Sequence, residues 1–155
     1  MIRTLNRRSL IGATLASVAL PGLARAQGND PASQEPTDMR INVTFGGMTM
    51  GVMLYDNPSA RDLYTMLPLD GTIQDYSNNE KIVYLPRRLT QDGSGHFGNE
   101  RPGDLAYYAP WGNLVFYYAG YRYSNGLIRL GRMEEGFEPL LTRGEFPVRI
   151  EPVAS

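Results

Sequence analysis

All ten tyrosines of this 155-residue chain lie between Tyr55 and Tyr123, six of them between Tyr107 and Tyr123, and the only tryptophan, Trp111, falls among those six. A tyrosine ring offers large apolar area together with a hydroxyl that seeks a partner when buried. Rings gathered this way can line a pocket for another ring, a sugar or a proline. They also pack well on the pleated faces of strands. Trp111 sits in Pro110-Trp111-Gly112-Asn113, a turn-forming tetrapeptide, so its indole is either a lid over a pocket mouth or a plug folded onto the end of the fold. Asp75, Glu80, Lys81, Arg87 and Asp104 fall near predicted strand ends. A carboxylate and a cation converging there could orient a polar ligand or perform acid/base work. The simpler reading is surface ion pairing, worth about 0–1 kcal/mol per exposed pair. Gly93-Ser94-Gly95-His96 places a hydroxyl near an imidazole. It lacks both the Gly-x-Ser-x-Gly elbow and a group to orient the base, so it is read as loop. No catalytic residue is assigned.

Several chemistries are excluded by composition. There is no cysteine, which removes thiol catalysis, thiolate metal sites and iron–sulfur clusters. His96 is the only histidine, so one chain cannot build a multi-histidine metal site. No phosphate-cradling glycine loop or dinucleotide fingerprint is present, and neither a metal nor a cofactor is expected.

Residues 1–26 have the layout of an export signal. Arg7-Arg8 leads a modest apolar run from Leu10 to Leu23, closed by Ala24-Arg25-Ala26. That is a charged head, a short apolar middle and a small-x-small exit. Asn6-Arg7-Arg8-Ser9-Leu10-Ile11 is similar to a twin-arginine signal, with Leu10 where an aromatic is usual. Cleavage near Ala26 would leave a periplasmic or secreted protein. The run is short and broken by Gly12, Pro21 and Gly22, so it does not suit a bilayer span, and the strand-rich remainder gives no expectation of a stable span in the mature chain. Without the four arginines of residues 1–26, 11 basic and 16 acidic residues remain, a net charge of −5. That balance argues against nucleic acid as a partner.

Residues 27–38 are polar and proline-broken and read as a flexible linker. Residues 39–155 form one domain. Within it, Ile41, Val43 and Phe45 alternate with polar residues up to Gly46-Gly47, and a second apolar run reaches Tyr55, the pattern of a β-hairpin. Asn57 suits a helix N-cap and Pro58 the first helical position. Ala60, Leu63, Tyr64 and Leu67 then form an apolar stripe over 58–67, stopped by Pro68. Strands are predicted at 69–76 and 81–85, a loop at 90–103, a hairpin pairing 104–109 with 114–118, a strand at 127–133, a helical turn at 137–141 and a last strand at 146–151. In the hairpin, Leu105, Tyr107, Leu114 and Phe116 share one face while Ala106, Tyr108, Val115 and Tyr117 share the other. Both faces are apolar, so both must be covered, which suits the wall of a closed barrel.

Four segments carry a family resemblance: Asp56-Asn57-Pro58-Ser59-Ala60-Arg61-Asp62, Glu80-Lys81-Ile82-Val83-Tyr84-Leu85-Pro86-Arg87, Gly103-Asp104-Leu105-Ala106-Tyr107-Tyr108-Ala109-Pro110-Trp111-Gly112-Asn113-Leu114, and Tyr123-Ser124-Asn125-Gly126-Leu127-Ile128-Arg129-Leu130-Gly131. In this order the chain resembles the small prokaryotic cyclophilin-like domain family over roughly residues 39–140. The resemblance implies a mainly β protein, a closed cyclophilin-like barrel of about eight strands with one or two short helices. The tail from Thr142 lies beyond that core and is read as an extra or terminal strand. True cyclophilins share the barrel and isomerise the bond before proline, using an arginine with a Phe-Met-x-Gln segment and a later histidine and tryptophan. Here Arg87-Arg88 is followed by Leu89-Thr90-Gln91, without that pattern. Fold does not carry function across such a gap. The expectation is therefore a module binding a small molecule or peptide segment in an aromatic groove near Tyr84, Arg87, Tyr108, Trp111 and Tyr118. The alternative is a weak or specialised peptidyl-prolyl isomerase in which Arg87 polarises the amide.

Overall fold

The computed structural model describes residues 33–154. The export signal assigned to residues 1–26, and the assigned linker up to residue 32, lie outside the described residues. Strand β1 (Pro36–Phe45) starts inside the stretch read as linker. Proline is tolerated at a strand's first position, and the main chain is already held there, with the Asp56 N–H donating to the Glu35 carbonyl at 2.8 Å.

The remaining elements follow the sequence pattern closely: β2 (Met48–Tyr55), α1 (Pro58–Met66), β3 (Leu69–Tyr76), β4 (Glu80–Tyr84), β5 (Asp104–Tyr108), β6 (Asn113–Tyr117), β7 (Leu127–Met133), a short 3-10 turn (Glu138–Leu141) and β8 (Phe146–Pro152). All neighbours are antiparallel, and the strands close into a barrel in the order β1-β2-β7-β5-β6-β4-β3-β8. The tail read as an extra strand is thus β8, which pairs with both β1 and β3 and closes the cylinder.

Local chemistry explains the joints. Gly46 and Gly47 both have positive φ, +56° and +74°, the conformation a two-residue hairpin turn requires and non-glycine residues resist. Asn57 caps α1 by accepting from the Ala60 N–H at 2.8 Å, and its amide nitrogen donates to the Arg129 carbonyl of β7 at 3.1 Å. One buried side chain therefore starts the helix and ties it to the barrel. Gly131 sits where β7 crosses β2. A Cβ there would lie 2.2 Å from the Met53 carbonyl oxygen, so only glycine permits the approach.

The period-2 alternation sorts side chains into two apolar layers. Inside the barrel, Ile41, Val43, Phe45, Val52, Leu54, Ile73, Val83, Leu105, Tyr107, Leu114, Phe116 and Ile150 form the main core, joined by Ala60 and Leu63 of α1 and Leu140 of the 3-10 turn. A second cluster, on the other face of the wall, holds Ile82, Ala106, Val115, Tyr117 and Leu127. Phe97 covers that outer layer from the loop 85–103, with Tyr121 and Tyr123 from the connection 118–126. The expectation that both hairpin faces are covered therefore holds.

A buried charge cluster fastens that cover. Asp104 is wholly buried and accepts from the Tyr121 hydroxyl (2.7 Å), the Arg132 guanidinium (2.8 Å), the Arg101 N–H (3.1 Å) and the Arg129 guanidinium (3.4 Å). Arg129 also donates to the Asn99 side-chain oxygen at 2.6 Å and lies over the Phe97 ring, 4.2 Å from its centroid. On the inner face Lys81 is likewise fully buried, donating to Asp75 at 2.8 Å and the Gly144 carbonyl at 3.2 Å. Surface pairing is therefore the wrong description of Lys81 and Asp104: barrel closure and the loop cover remove both from water. Breaking a buried pair strands the remaining charge, which typically costs about 3–5 kcal/mol. Asp104→Ala should lower unfolding free energy by about that amount in urea titration, and a loss below about 1 kcal/mol would contradict this account.

Candidate functional site

The aromatic cluster lies on the outer wall of the barrel, not at its mouth. The reason is parity. Tyr76, Glu80, Tyr108, Val115 and Tyr117 alternate with core residues along their strands and so project outward. Register then brings them together: Tyr76 pairs with Glu80 across β3–β4, Glu80 with Tyr117 across β4–β6, and Tyr108 with Asn113 across β5–β6. With Trp111 from the β5–β6 turn, and Ser124 and Leu127 from the β7 end, they line a pocket of about 260 Å³.

Trp111 divides the surface. Its ring stands edge-on to Tyr76 (centroids 5.2 Å apart, 83° between planes) and to Tyr108 (5.5 Å, 74°), and it remains 45% exposed. It is thus a wall of the pocket rather than a plug in the barrel end. The turn forces this: Gly112 takes φ +72°, and the Gly112 and Trp111 N–H groups both donate to the Tyr108 carbonyl, at 2.9 and 3.2 Å. Tyr84 lines a second, more open concavity with Gln74, Tyr76, Ile82 and Trp111.

The other two candidates lie apart. Arg87 engages Asp62 of α1 with both terminal nitrogens, at 3.1 and 2.8 Å. That contact, above all the hydrogen bond from Arg87, holds the Asp62 carboxyl below its ordinary range. Asp62 also accepts from the Thr90 N–H at 2.7 Å, so the pair secures the start of the long loop. Tyr118 follows the end of β6, packs against the interior core cluster and accepts a hydrogen bond from Arg143 at 2.9 Å. Of the five candidates, Tyr108 and Trp111 share the pocket, Tyr84 borders it, and Arg87 and Tyr118 serve other contacts. Ser94 and His96 share no hydrogen bond among the described residues; the imidazole instead packs edge-on against Tyr123 at 4.6 Å.

Two lining residues carry polar chemistry that single-strand patterns do not reveal. Asn113 is 1% exposed. Its amide nitrogen donates to the Leu114 carbonyl at 3.1 Å, while its Oδ1 is buried with no hydrogen-bond partner among the described residues. As sequence, Asn113 looked like a turn residue after glycine; only its place at the head of β6 turns it into the wall. Glu80 is half-buried among Tyr76, Tyr108 and Tyr117 and makes no hydrogen bond or ion pair among the described residues. Burial pushes its carboxyl up to about 7. Tyr117, stacked on Tyr121 at 3.6 Å with planes 4° apart, has its hydroxyl pushed up by burial and then by the nearby Glu80 charge, so it stays protonated. Among the described residues no cluster of histidine and carboxylate side chains is arranged to hold a metal ion.

Residues 43–151 match the model of the cyclophilin-like family, and the chain belongs to that family. The match extends through β8, beyond the residue-140 limit inferred from the sequence segments. No curated protein matches the sequence. Among solved structures, the solution structure of a hypothetical protein from Archaeoglobus fulgidus superimposes with a TM-score of 0.62 at 17% identity, covering 77% of this chain and 98% of that one. That likeness shows the fold.

The Glu80 environment sets a pH dependence. A carboxyl raised from 4.5 to about 7 on folding is penalised only where folded Glu80 must ionise. The penalty is small at pH 4.5, grows as pH rises and levels off above about 7. Glu80→Gln should therefore stabilise the fold, slightly at pH 4.5 and most above pH 7, measured by thermal unfolding across that range. A stabilisation independent of pH would refute the assignment.

Proposed function

We propose that this chain is an exported binding module, working in the periplasm or beyond the cell, that holds a small molecule or a short peptide segment in the outer-wall pocket. The observation that carries this reading is the pocket's composition. It has aromatic walls from Tyr76, Tyr108, Trp111 and Tyr117, an apolar contribution from Val115 and Leu127, and the half-buried carboxyl of Glu80. A concave apolar site with a few convergent polar groups is the usual form of a small-molecule site. Support for export comes from residues 1–26 and their twin-arginine-like pattern. No helix among the described residues is long and apolar enough to cross a membrane.

The isomerase alternative lacks equivalent support. It needs Arg87 to polarise a bound amide, yet that guanidinium is occupied on both terminal nitrogens by Asp62 and is not part of the pocket wall.

The test uses the intrinsic reporter. A panel of metabolites and proline-containing peptides, followed by Trp111 emission and by melting temperature, should contain compounds that change both. A ligand at 100 times its Kd adds about 2.7 kcal/mol of stability, enough for a clear shift in midpoint. Tyr108→Ala should weaken such binding by about tenfold, the scale of a lost aromatic wall. Emission and midpoint indifferent to the entire panel would overturn the reading.

A further inference from the structure

Among the described residues that line the pocket, Glu80 carries the one charged side chain. Its carboxylate is an acceptor, while the tyrosine and serine hydroxyls adapt to either role. Among the described residues no arginine, lysine or histidine lines the pocket. Around these acceptors stand Tyr76, Tyr108, Trp111 and Tyr117, with Tyr76 and Tyr108 nearly perpendicular to the indole on either side. Aromatic rings carry negative faces, and a cation enclosed by several of them is attracted without any ion pair. A nearby carboxylate adds charge complementarity and a hydrogen-bond acceptor.

Deepening the binding reading above, on which it rests, we infer that the pocket receives a primary alkylammonium group, its carbon stem between the aromatic walls and its N–H donors directed to the Glu80 carboxylate. The floor of Val115 and Leu127 suits the stem. A hydrogen bond to the Glu80 carboxylate favours a group that still carries N–H over a quaternary ammonium, which has none to give. The same head group is found on a free amine and on a lysine side chain, and the experiment separates the two.

Binding such a cation requires ionised Glu80. The groups facing Glu80 are Tyr76 from β3, Tyr117 from β6 and Tyr108 from β5, with no cation and no second carboxylate among the described lining residues. Below about pH 7 Glu80 holds a proton that the ligand must displace, so affinity falls toward acid.

The experiment titrates residues 27–155, the chain expected after signal removal, with cyclohexylammonium, cyclohexanol, tetramethylammonium, Nα-acetyl-lysine methylamide and its Nε-acetylated form, reading Trp111 emission. The expected result is binding of cyclohexylammonium, acetyl-lysine methylamide or both. Their neutral counterparts should bind at least tenfold more weakly, and tetramethylammonium more weakly than a binding primary amine. Binding of cyclohexylammonium alone assigns a free amine, and stronger binding of the lysine derivative assigns a peptide side chain. Affinity should drop about tenfold from pH 8 to pH 6, over which both amines stay protonated, and Glu80→Gln should abolish the preference for the charged form. Equal affinity for cyclohexanol and cyclohexylammonium, a flat pH profile, or unchanged selectivity in Glu80→Gln would overturn the inference. If neutral panel compounds bind and neither amine does, the inference fails while the binding reading stands. If nothing in either set moves the emission, both fail.

Discussion

The Asp104 carboxylate is the contact on which the outer wall depends. An isolated carboxylate buried at zero exposure would be prohibitively unfavourable, so it must collect compensating donors. Those donors come from three separate parts of the chain: Arg101 before β5, Tyr121 in the 118–126 connection, and Arg129 and Arg132 along β7. Satisfying one anion therefore pulls two irregular segments onto the sheet. Tyr121 is placed where it stacks on Tyr117, and Arg129 where it supports Phe97 and grips Asn99. Tyr117 is at once part of the pocket wall and part of this assembly, so the site inherits its rigidity from a charge cluster on the far side of the ring.

Adjacent residues on β4 show how one strand makes structure with one face and a site with the other. Lys81 points into the barrel and is fully paired, with Asp75 and the Gly144 carbonyl. Glu80 points outward and has no partner among the described residues, with burial as the cause of its raised pKa. The interior tolerates no unpaired charge because nothing can enter to compensate it. The outer pocket can leave a carboxyl uncompensated because it opens to solvent and to ligands. The Glu80 carboxyl and the Asn113 oxygen both lack a hydrogen-bond partner among the described residues, and both residues line one pocket.

Membership in the cyclophilin-like family accounts for the barrel and leaves the chemistry to be argued from side chains. Arg87, the arginine that the isomerase alternative needs, is committed to Asp62, where it braces α1 against the loop beginning at Thr90. The aromatic wall, by contrast, is exposed in part and unoccupied by the protein's own groups. Large apolar rings left half in water around a concavity are the feature of this molecule that packing alone does not explain.

The sequence by itself determined the local elements and their faces. Period-2 alternation marked the strands, Gly46-Gly47 the hairpin, and Asn57-Pro58 the start of α1, because these depend on backbone conformation and on which side of a strand a residue projects. The same parity separated Tyr108, Val115 and Tyr117 from Leu105, Tyr107, Leu114 and Phe116, and so predicted two covered layers. Which strand lies beside which was a matter for the tertiary structure. Only the closure of β8 between β1 and β3, and the register of β3, β4 and β6, bring Tyr76 and Glu80 beside Tyr117. Arg87 and Tyr118, close in sequence to pocket residues, are drawn elsewhere by Asp62 and Arg143. Side-chain direction is a local property that spacing records; the partners a side chain meets come from residues far along the chain, and no spacing records them.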